Sequence, residues 1–322
     1  MRKRVITEIC LINSKFVGIE FFLMEINPAY LQKIRELFPK LEISSVSVNR
    51  DGLINDILIV NEDLVFRFPR NSDWGKKLFV NEIKIIELAR RYVEIPLPVF
   101  EYKSDDLAVY RYIKGDALRR EDILKLNVGE QDEIARALAV FLKQFHTIPH
   151  SELAKNEIAP SDVNRSRETW LKLFENVRKE LFPLMMPHVR ESVSEHFAPV
   201  LADENFMDYT PQLINGDIVP YHIIFDRRAG RINGIIDFGT AGIGDAAADF
   251  SCIIYNYGES FLAKMAKDYT EIETAVNRAR FWAGTLELQW ALAGARTKNY
   301  WWNLVSLGGA RDARPVNAEF EV

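Results

Sequence analysis

Cysteine is nearly absent. The two that occur, Cys10 and Cys252, stand far apart with no histidine beside either, which excludes a disulfide-stapled scaffold and points to a reduced, cytoplasmic protein. No run of about 18 uncharged apolar residues occurs, so no membrane-spanning helix is expected. The stretch after Met1-Arg2-Lys3-Arg4 is apolar, but Glu8, Asn13, Lys15 and Glu20 interrupt it and it lacks a small-residue cleavage site, which argues against a secretory leader. Neither sign of charge dominates: 41 Lys and Arg against 46 Asp and Glu give a net charge of −5. The basic doublets at Lys76-Lys77, Arg90-Arg91, Arg119-Arg120 and Arg227-Arg228 are scattered, so no nucleic-acid partner is expected. Neither G-x-x-x-x-G-K-[ST] nor G-x-S-x-G is found, which removes a P-loop and an α/β-hydrolase nucleophile elbow.

The composition is that of a folded globular chain, 48% hydrophobic and 27% charged over 322 residues, long enough for two domains or two lobes. Residues before Met24 fit poorly with the rest of the chain, and residues 1–26 read as an extension outside the core fold. From Asn27 the pattern is clear: a helix capped by Asn27 with Pro28 at its first position, stopped by Pro39. Three β-rich runs come next, SSVSVN, ILIV and DLVFRFPR, then a helix over about 76–91, a Pro96/Pro98 break, and two more strands, PVFEYK and LAVYRYI. This predicts a small five-stranded antiparallel lobe with one inserted helix, residues 27–115. Beyond Gly115 helical periodicity takes over, at about 130–146, 161–182, 187–203, 245–256 and 271–308. The interval 211–239 stands apart as two short strands, HIIFD and INGIIDF, around the turn Arg227–Arg231. A short hairpin inside a helical region is a common place for a site. The fold class is therefore α+β, with residues 116–322 as a large, mostly helical second lobe.

In that interval Asp217 sits in a loop, His222 stands five residues later at the start of a strand, and Asp237 closes the next strand. Two carboxylates and an imidazole converging at strand ends suit a divalent cation and an acceptor hydroxyl. Singly, each residue also reads as a turn residue, a half-buried strand residue or a strand end. Taken together they resemble the aminoglycoside phosphotransferase family. Its catalytic segment, H-G-D-x-x-x-x-N before an apolar strand, is matched by Asn215-Gly216-Asp217-Ile218-Val219-Pro220-Tyr221-His222. Its metal segment is matched by Ile235-Ile236-Asp237-Phe238-Gly239, with Gly244-Asp245-Ala246-Ala247-Ala248-Asp249 after it.

The resemblance implies a bilobal protein-kinase-like fold and transfer of the γ-phosphoryl group of ATP or GTP, with Mg²⁺, to a hydroxyl of a small molecule. An aminoglycoside is the leading acceptor; a macrolide, a small metabolite or, in a different class, a nucleotide-binding pseudokinase-like module are the alternatives. It implies that Asp217 takes or orients the acceptor's proton and that Asp237 is the main Mg²⁺ ligand. His222 stands where an asparagine metal ligand is usual, as in the aminoglycoside 2″-phosphotransferases and macrolide phosphotransferases. Asn215 stands where a histidine is usual. It also implies that Arg67 takes the place of the phosphate-binding lysine, held by Glu82 fifteen residues on. The nucleotide-covering loop has one glycine, Gly52, whose neighbouring amides would serve the phosphates, and the backbone of Arg111 and Ile113 would meet the purine edge. Asp245 and Asp249 are expected to cap a helix and brace the catalytic loop. The late tryptophans Trp282, Trp290, Trp301 and Trp302 read as core, and Glu287 as a candidate for meeting an amine-rich acceptor. His146 and His150 read as helix-end residues, because Pro149 breaks the helix that would align them. A monomer with no membrane partner completes the expectation.

Overall fold

The computed structural model describes residues 26–49, 55–70 and 73–298. Gly52, Cys10, Trp301 and Trp302 lie outside these described residues. The chain divides into two compact units, one of residues up to Lys76 with Phe100–Tyr112, the other of Lys77–Val99 with the residues from Ile113 on.

The first unit is a helix packed on a sheet. Helix α1 (Pro28–Leu37) starts where Pro28 supplies a helical φ and the Asn27 side chain accepts from the Ala29 N–H at 3.0 Å. Strands β1 (Val46–Asn49), β2 (Asn55–Val60), β3 (Leu64–Pro69), β4 (Phe100–Ser104) and β5 (Leu107–Arg111) form one antiparallel sheet in the order β1-β2-β3-β5-β4. Leu31 and Ile34 of α1 bury against Leu58, Val60, Phe66, Phe68 and Val109, and Tyr30 stacks on Phe68 with ring centres 4.0 Å apart. The β2–β3 turn uses Asn61 and Glu62 in the left-handed region, φ 57° and 52°, as tight hairpins require. Asn61 accepts from the Ser44 and Ser45 amides at 2.8 and 3.1 Å and so also fixes the entry to β1.

Helix α2 (Asp73–Ala89) begins in the first unit and continues into the second. It starts three residues before the predicted helix, and Arg90 and Arg91 fall in the turn that ends it.

The second unit is built mainly from helices α3 (Arg120–Lys125), α4 (Val128–His146), α5 (His150–Lys155), α6 (Arg167–Glu180), α7 (Pro187–Ala202), α8 (Ala247–Tyr257), α9 (Glu259–Ala266) and α10 (Ile272–Arg296). A three-stranded antiparallel sheet, β6 (Asp116–Ala117), β8 (Ile223–Asp226) and β9 (Arg231–Ile235), and a two-stranded one, β7 (Gln212–Ile214) with β10 (Gly242–Gly244), carry the loops between them. Two differences from the sequence-based expectation have clear causes. Residues 161–165 are loop, because Ser161 bonds outward to the 240–243 segment and Ser166 caps the helix that begins at Arg167. Helix α9 goes unpredicted because Gly258, at φ 92°, ends α8 and lets the chain turn directly into it. The last predicted helix ends at Arg296 within the described residues.

The core of this unit centres on aromatic contacts. Trp170 meets Trp282 and Phe281 edge-on at 4.8 and 5.2 Å, and Phe174 stacks on Phe197 at 4.6 Å. Trp282 is core, as expected, whereas Trp290 is exposed. Arg280, fully buried on α10, makes a two-pronged pair with Glu259 of α9 at 3.0 and 2.6 Å. A buried pair of this kind ties two helices in one register.

Candidate active site

Two loops of the second unit carry the site. The first runs from β7 to β8. Asn215 and Gly216 leave β7 with their amides held by one buried carboxylate: Asp249 Oδ2 accepts from Asn215 N–H at 2.9 Å and Oδ1 from Gly216 N–H at 2.6 Å. Asp249 is at the start of α8, and it braces the loop as expected. It is itself held by a residue that the sequence pattern marks only as a helix end. His146 is fully buried at the end of α4, with Nε2 2.9 Å from Asp249 Oδ2 and Nδ1 3.1 Å from the Tyr269 hydroxyl. The available signal was its place on the apolar stripe, four residues after Leu142 and seven after Ala139, where a polar side chain needs a buried partner. Gly216 has φ 77°, and a Cβ there would lie 2.7 Å from Val163, so this tight passage requires glycine.

Past Gly216 the chain turns twice. Val219 N–H donates to the Asp217 carbonyl at 2.9 Å, and His222 N–H to the Val219 carbonyl at 2.9 Å. Pro220 through His222 form a single 3₁₀ turn, so His222 sits just before β8 rather than in it. This turn brings His222 back onto Asp217: Nδ1 lies 2.8 Å from the Asp217 carbonyl oxygen and 3.6 Å from Oδ2.

The second loop leaves β9, which ends at Ile235, two residues before Asp237. Ile236 N–H donates to the His222 carbonyl at 2.9 Å and carries the pairing onward. Asp237 then adopts a left-handed backbone, φ 63°, a conformation costing a non-glycine residue about 1–2 kcal/mol. Its neighbours hold it there. Glu82 of α2, buried, accepts from Phe238 N–H at 3.0 Å; Asp237 Oδ1 accepts from Gly239 N–H at 3.1 Å; Asn215 Nδ2 donates to the Asp237 carbonyl at 3.3 Å. Phe238 is fully buried against Phe145, ring centres 5.6 Å apart. The strain points the Asp237 carboxylate at the imidazole, with Oδ2 3.5 Å from His222 Nε2.

His222 therefore lies between the two carboxylates. Its Nδ1 faces the Asp217 carbonyl oxygen, and its Nε2 faces an oxygen of Asp237. An imidazole nitrogen and a carboxylate oxygen 3.5 Å apart can share a proton or a cation between them. Burial, and after it the negative charges of Asp237 and Asp249, push the Asp217 carboxyl above the usual carboxylate range, with His222 acting in the opposite direction. The side chains of Asp217 and Asp237 still keep 43% and 41% of their surface exposed, so both remain reachable from solvent. Cys252 lies under the loop with Sγ 3.9 Å from the Gly216 carbonyl; burial raises its thiol pKa well above the usual value and keeps it protonated.

The structure thus brings Asp217, His222 and Asp237 together and puts Glu82 behind the Asp237 turn. Arg67 is buried in β3 of the first unit, opposite Ile57 and Ala108. Arg111 ends β5 opposite Leu64, its guanidinium paired with Asp63 and Glu101. Ile113, in the second unit, packs over Gly234, where a Cβ would come within 2.9 Å of it. Glu287 is buried on α10.

A five-stranded antiparallel sheet and a helical unit whose two loops present Asp217 and Asp237 define a kinase-like phosphotransferase. The model of the phosphotransferase enzyme family matches residues 45–282, and the chain belongs to that family. The viomycin phosphotransferase of Streptomyces vinaceus is 28% identical over 188 residues, 57% of this chain and 62% of that protein. Among solved structures, the GDP complex of wild-type aminoglycoside 2′-phosphotransferase-IIIa is 26% identical, with a TM-score of 0.76 over 87% of this chain and 95% of that one. The GDP and kanamycin complex of APH(2″)-IIIa is 25% identical, with a TM-score of 0.77 over 87% and 96%. Among the described residues no helix is long and apolar enough to cross a membrane.

Proposed function

We propose that this phosphotransferase moves the γ-phosphoryl group of ATP or GTP to a hydroxyl of an aminoglycoside. The observation that carries the reading is the clasp of His222 between Asp217 and Asp237, with one carboxylate on each loop. Phosphoryl transfer needs few groups from a protein, chiefly charges placed to position the acceptor and neutralise the phosphates. Relatives of this fold bind GDP and kanamycin, which supports a nucleotide donor and an aminoglycoside acceptor.

We assign Asp217 to the acceptor hydroxyl. Its carboxyl is shifted upward, toward the range in which a group both takes and releases a proton. Asp237 and His222 would hold Mg²⁺. The fit rests on the donor set, a carboxylate oxygen and an imidazole nitrogen 3.5 Å apart. Among the described residues no cage of three or more His, Cys, Asp or Glu is present; Mg²⁺ in such enzymes takes one or two protein ligands and completes its shell with phosphate and water. When bound, the ion would supply counter-charge to the phosphates. Residues 27–115 are assigned to nucleotide recognition, with Arg67 supplying charge to the phosphates and the backbones of Arg111 and Ile113 serving the purine. Glu82 fixes the turn that presents Asp237, and residues 116–322 carry the acceptor site.

The test is a panel of aminoglycosides with a macrolide and viomycin as comparators, each incubated with ATP or GTP and Mg²⁺ and monitored by nucleotide turnover and acceptor mass. Phosphorylated aminoglycoside supports the reading. Turnover confined to a non-aminoglycoside acceptor replaces it.

A further inference from the structure

Tyr221 is the middle residue of the 3₁₀ turn between the two site residues Asp217 and His222. Unlike its neighbours it contributes little to the core: 63% of its surface is exposed. An isolated exposed aromatic is common on protein surfaces and by itself means nothing. Here the backbone under it is held from both sides. Pro220 presets φ, the His222 amide closes the turn onto Val219 at 2.9 Å, and the Pro220 carbonyl accepts from the Leu118 amide at 3.1 Å. The ring meets the His222 imidazole edge-on, with centres 4.7 Å apart and planes at 86°, an arrangement aromatic pairs prefer. Burial, and after it the Asp217 carboxylate, raise its phenol pKa above the usual value. The result is an exposed aromatic ring on a fixed backbone turn, between the two site residues Asp217 and His222.

We infer that Tyr221 is a specificity-determining residue of the acceptor site, its ring receiving an amine-bearing sugar ring whose hydroxyl is presented to Asp217. An aromatic face is negative at its centre and attracts both ammonium groups and the polarised C–H face of a saturated ring. The neighbouring carboxylates add to the same preference, because they attract a cation, give a neutral acceptor no comparable attraction and repel an anionic one. The class selected is therefore a cationic amino sugar rather than a neutral polyol. Tyr221 holds the acceptor and does not touch the nucleotide, so its role shows in acceptor affinity alone. This inference rests on the aminoglycoside reading above.

The experiment is calorimetric titration of kanamycin into the full chain with a non-hydrolysable nucleotide, for the wild type and for Tyr221→Ala, Tyr221→Leu and Tyr221→Phe. Nucleotide affinity of each variant is measured in parallel. The expected result is kanamycin binding about five- to twentyfold weaker in the Ala and Leu variants, most of it recovered by Phe, with nucleotide affinity within about twofold throughout. Leucine keeps the bulk and removes the ring, so it separates stacking from simple coverage. If the wild type binds no kanamycin, the aminoglycoside reading falls and this inference with it. If the wild type binds and Tyr221→Leu binds equally well, or if nucleotide affinity falls in step with kanamycin affinity, the inference alone is overturned.

Discussion

The side chain of Asn215 donates to the main-chain carbonyl of Asp237 at 3.3 Å while its own oxygen accepts from the Asp217 amide at 3.0 Å. One buried amide thus spans the two loops that present the carboxylates. Only a group with both a donor and an acceptor does this without a proton equilibrium, which an asparagine supplies at any pH. Asn215→Ala leaves the Asp217 N–H and the Asp237 carbonyl each short of a partner. We expect a stability loss of about 1–3 kcal/mol and a fall in kcat exceeding any rise in nucleotide KM. Denaturant melts alongside steady-state kinetics check this; a variant as active and as stable as wild type contradicts the bridge.

Asp217→Asn is expected to leave nucleotide affinity near wild type and to lower kcat by a large factor, since the lost interaction belongs mainly to the transition state. Its stability effect has the opposite sign. A carboxyl whose folded-state pKa is raised takes up a proton more readily when folded, so the fold carries an electrostatic penalty above that pKa and none below the unfolded value. The asparagine variant should therefore melt higher than wild type near neutral pH, with the gap closing as pH falls through the raised pKa and gone below about 4. A gap that widens on acidification is incompatible with the raised carboxyl.

For the metal site the expectation is a split between two ligands. Asp237→Asn should abolish Mg²⁺-dependent turnover. His222→Asn replaces a nitrogen donor with an oxygen, which Mg²⁺ prefers, so activity should persist with a changed Mg²⁺ optimum. Magnesium titrations of both variants decide the matter, and full activity in Asp237→Asn contradicts the assignment.

Arg67→Ala should raise the nucleotide KM by the equivalent of about 1–3 kcal/mol, the cost of a lost charge-assisted bond, with acceptor KM little changed. Arg67→Lys keeps the charge but loses the planar fork, and a partial effect is expected from the same measurement.

Much of the fold and site is legible in the sequence because it is local. Asn27-Pro28 starts α1, the alternation of β2 and β3 gives the hairpin, and Asp217, His222 and Asp237 of the candidate site fall within one loop-strand-turn-strand unit. Long-range features are less so. The strain at Asp237 depends on Glu82, 155 positions earlier in the chain, and on the amide of Asn215. His146 reads as a helix end because its partners, Asp249 and Tyr269, come more than a hundred residues later, and Pro149 suggests an exposed terminus. Helix α9 escapes the sequence pattern because one glycine is enough to reverse direction between two helices without a polar loop to mark it.

The most direct test of the account is mass spectrometry of kanamycin after incubation with the protein, Mg²⁺ and either ATP or GTP, run in parallel with Asp217→Asn. A single added phosphoryl group is expected with the wild type and none, or a trace, with the variant. Unmodified kanamycin with both nucleotides, or equal phosphorylation by the two proteins, would contradict it.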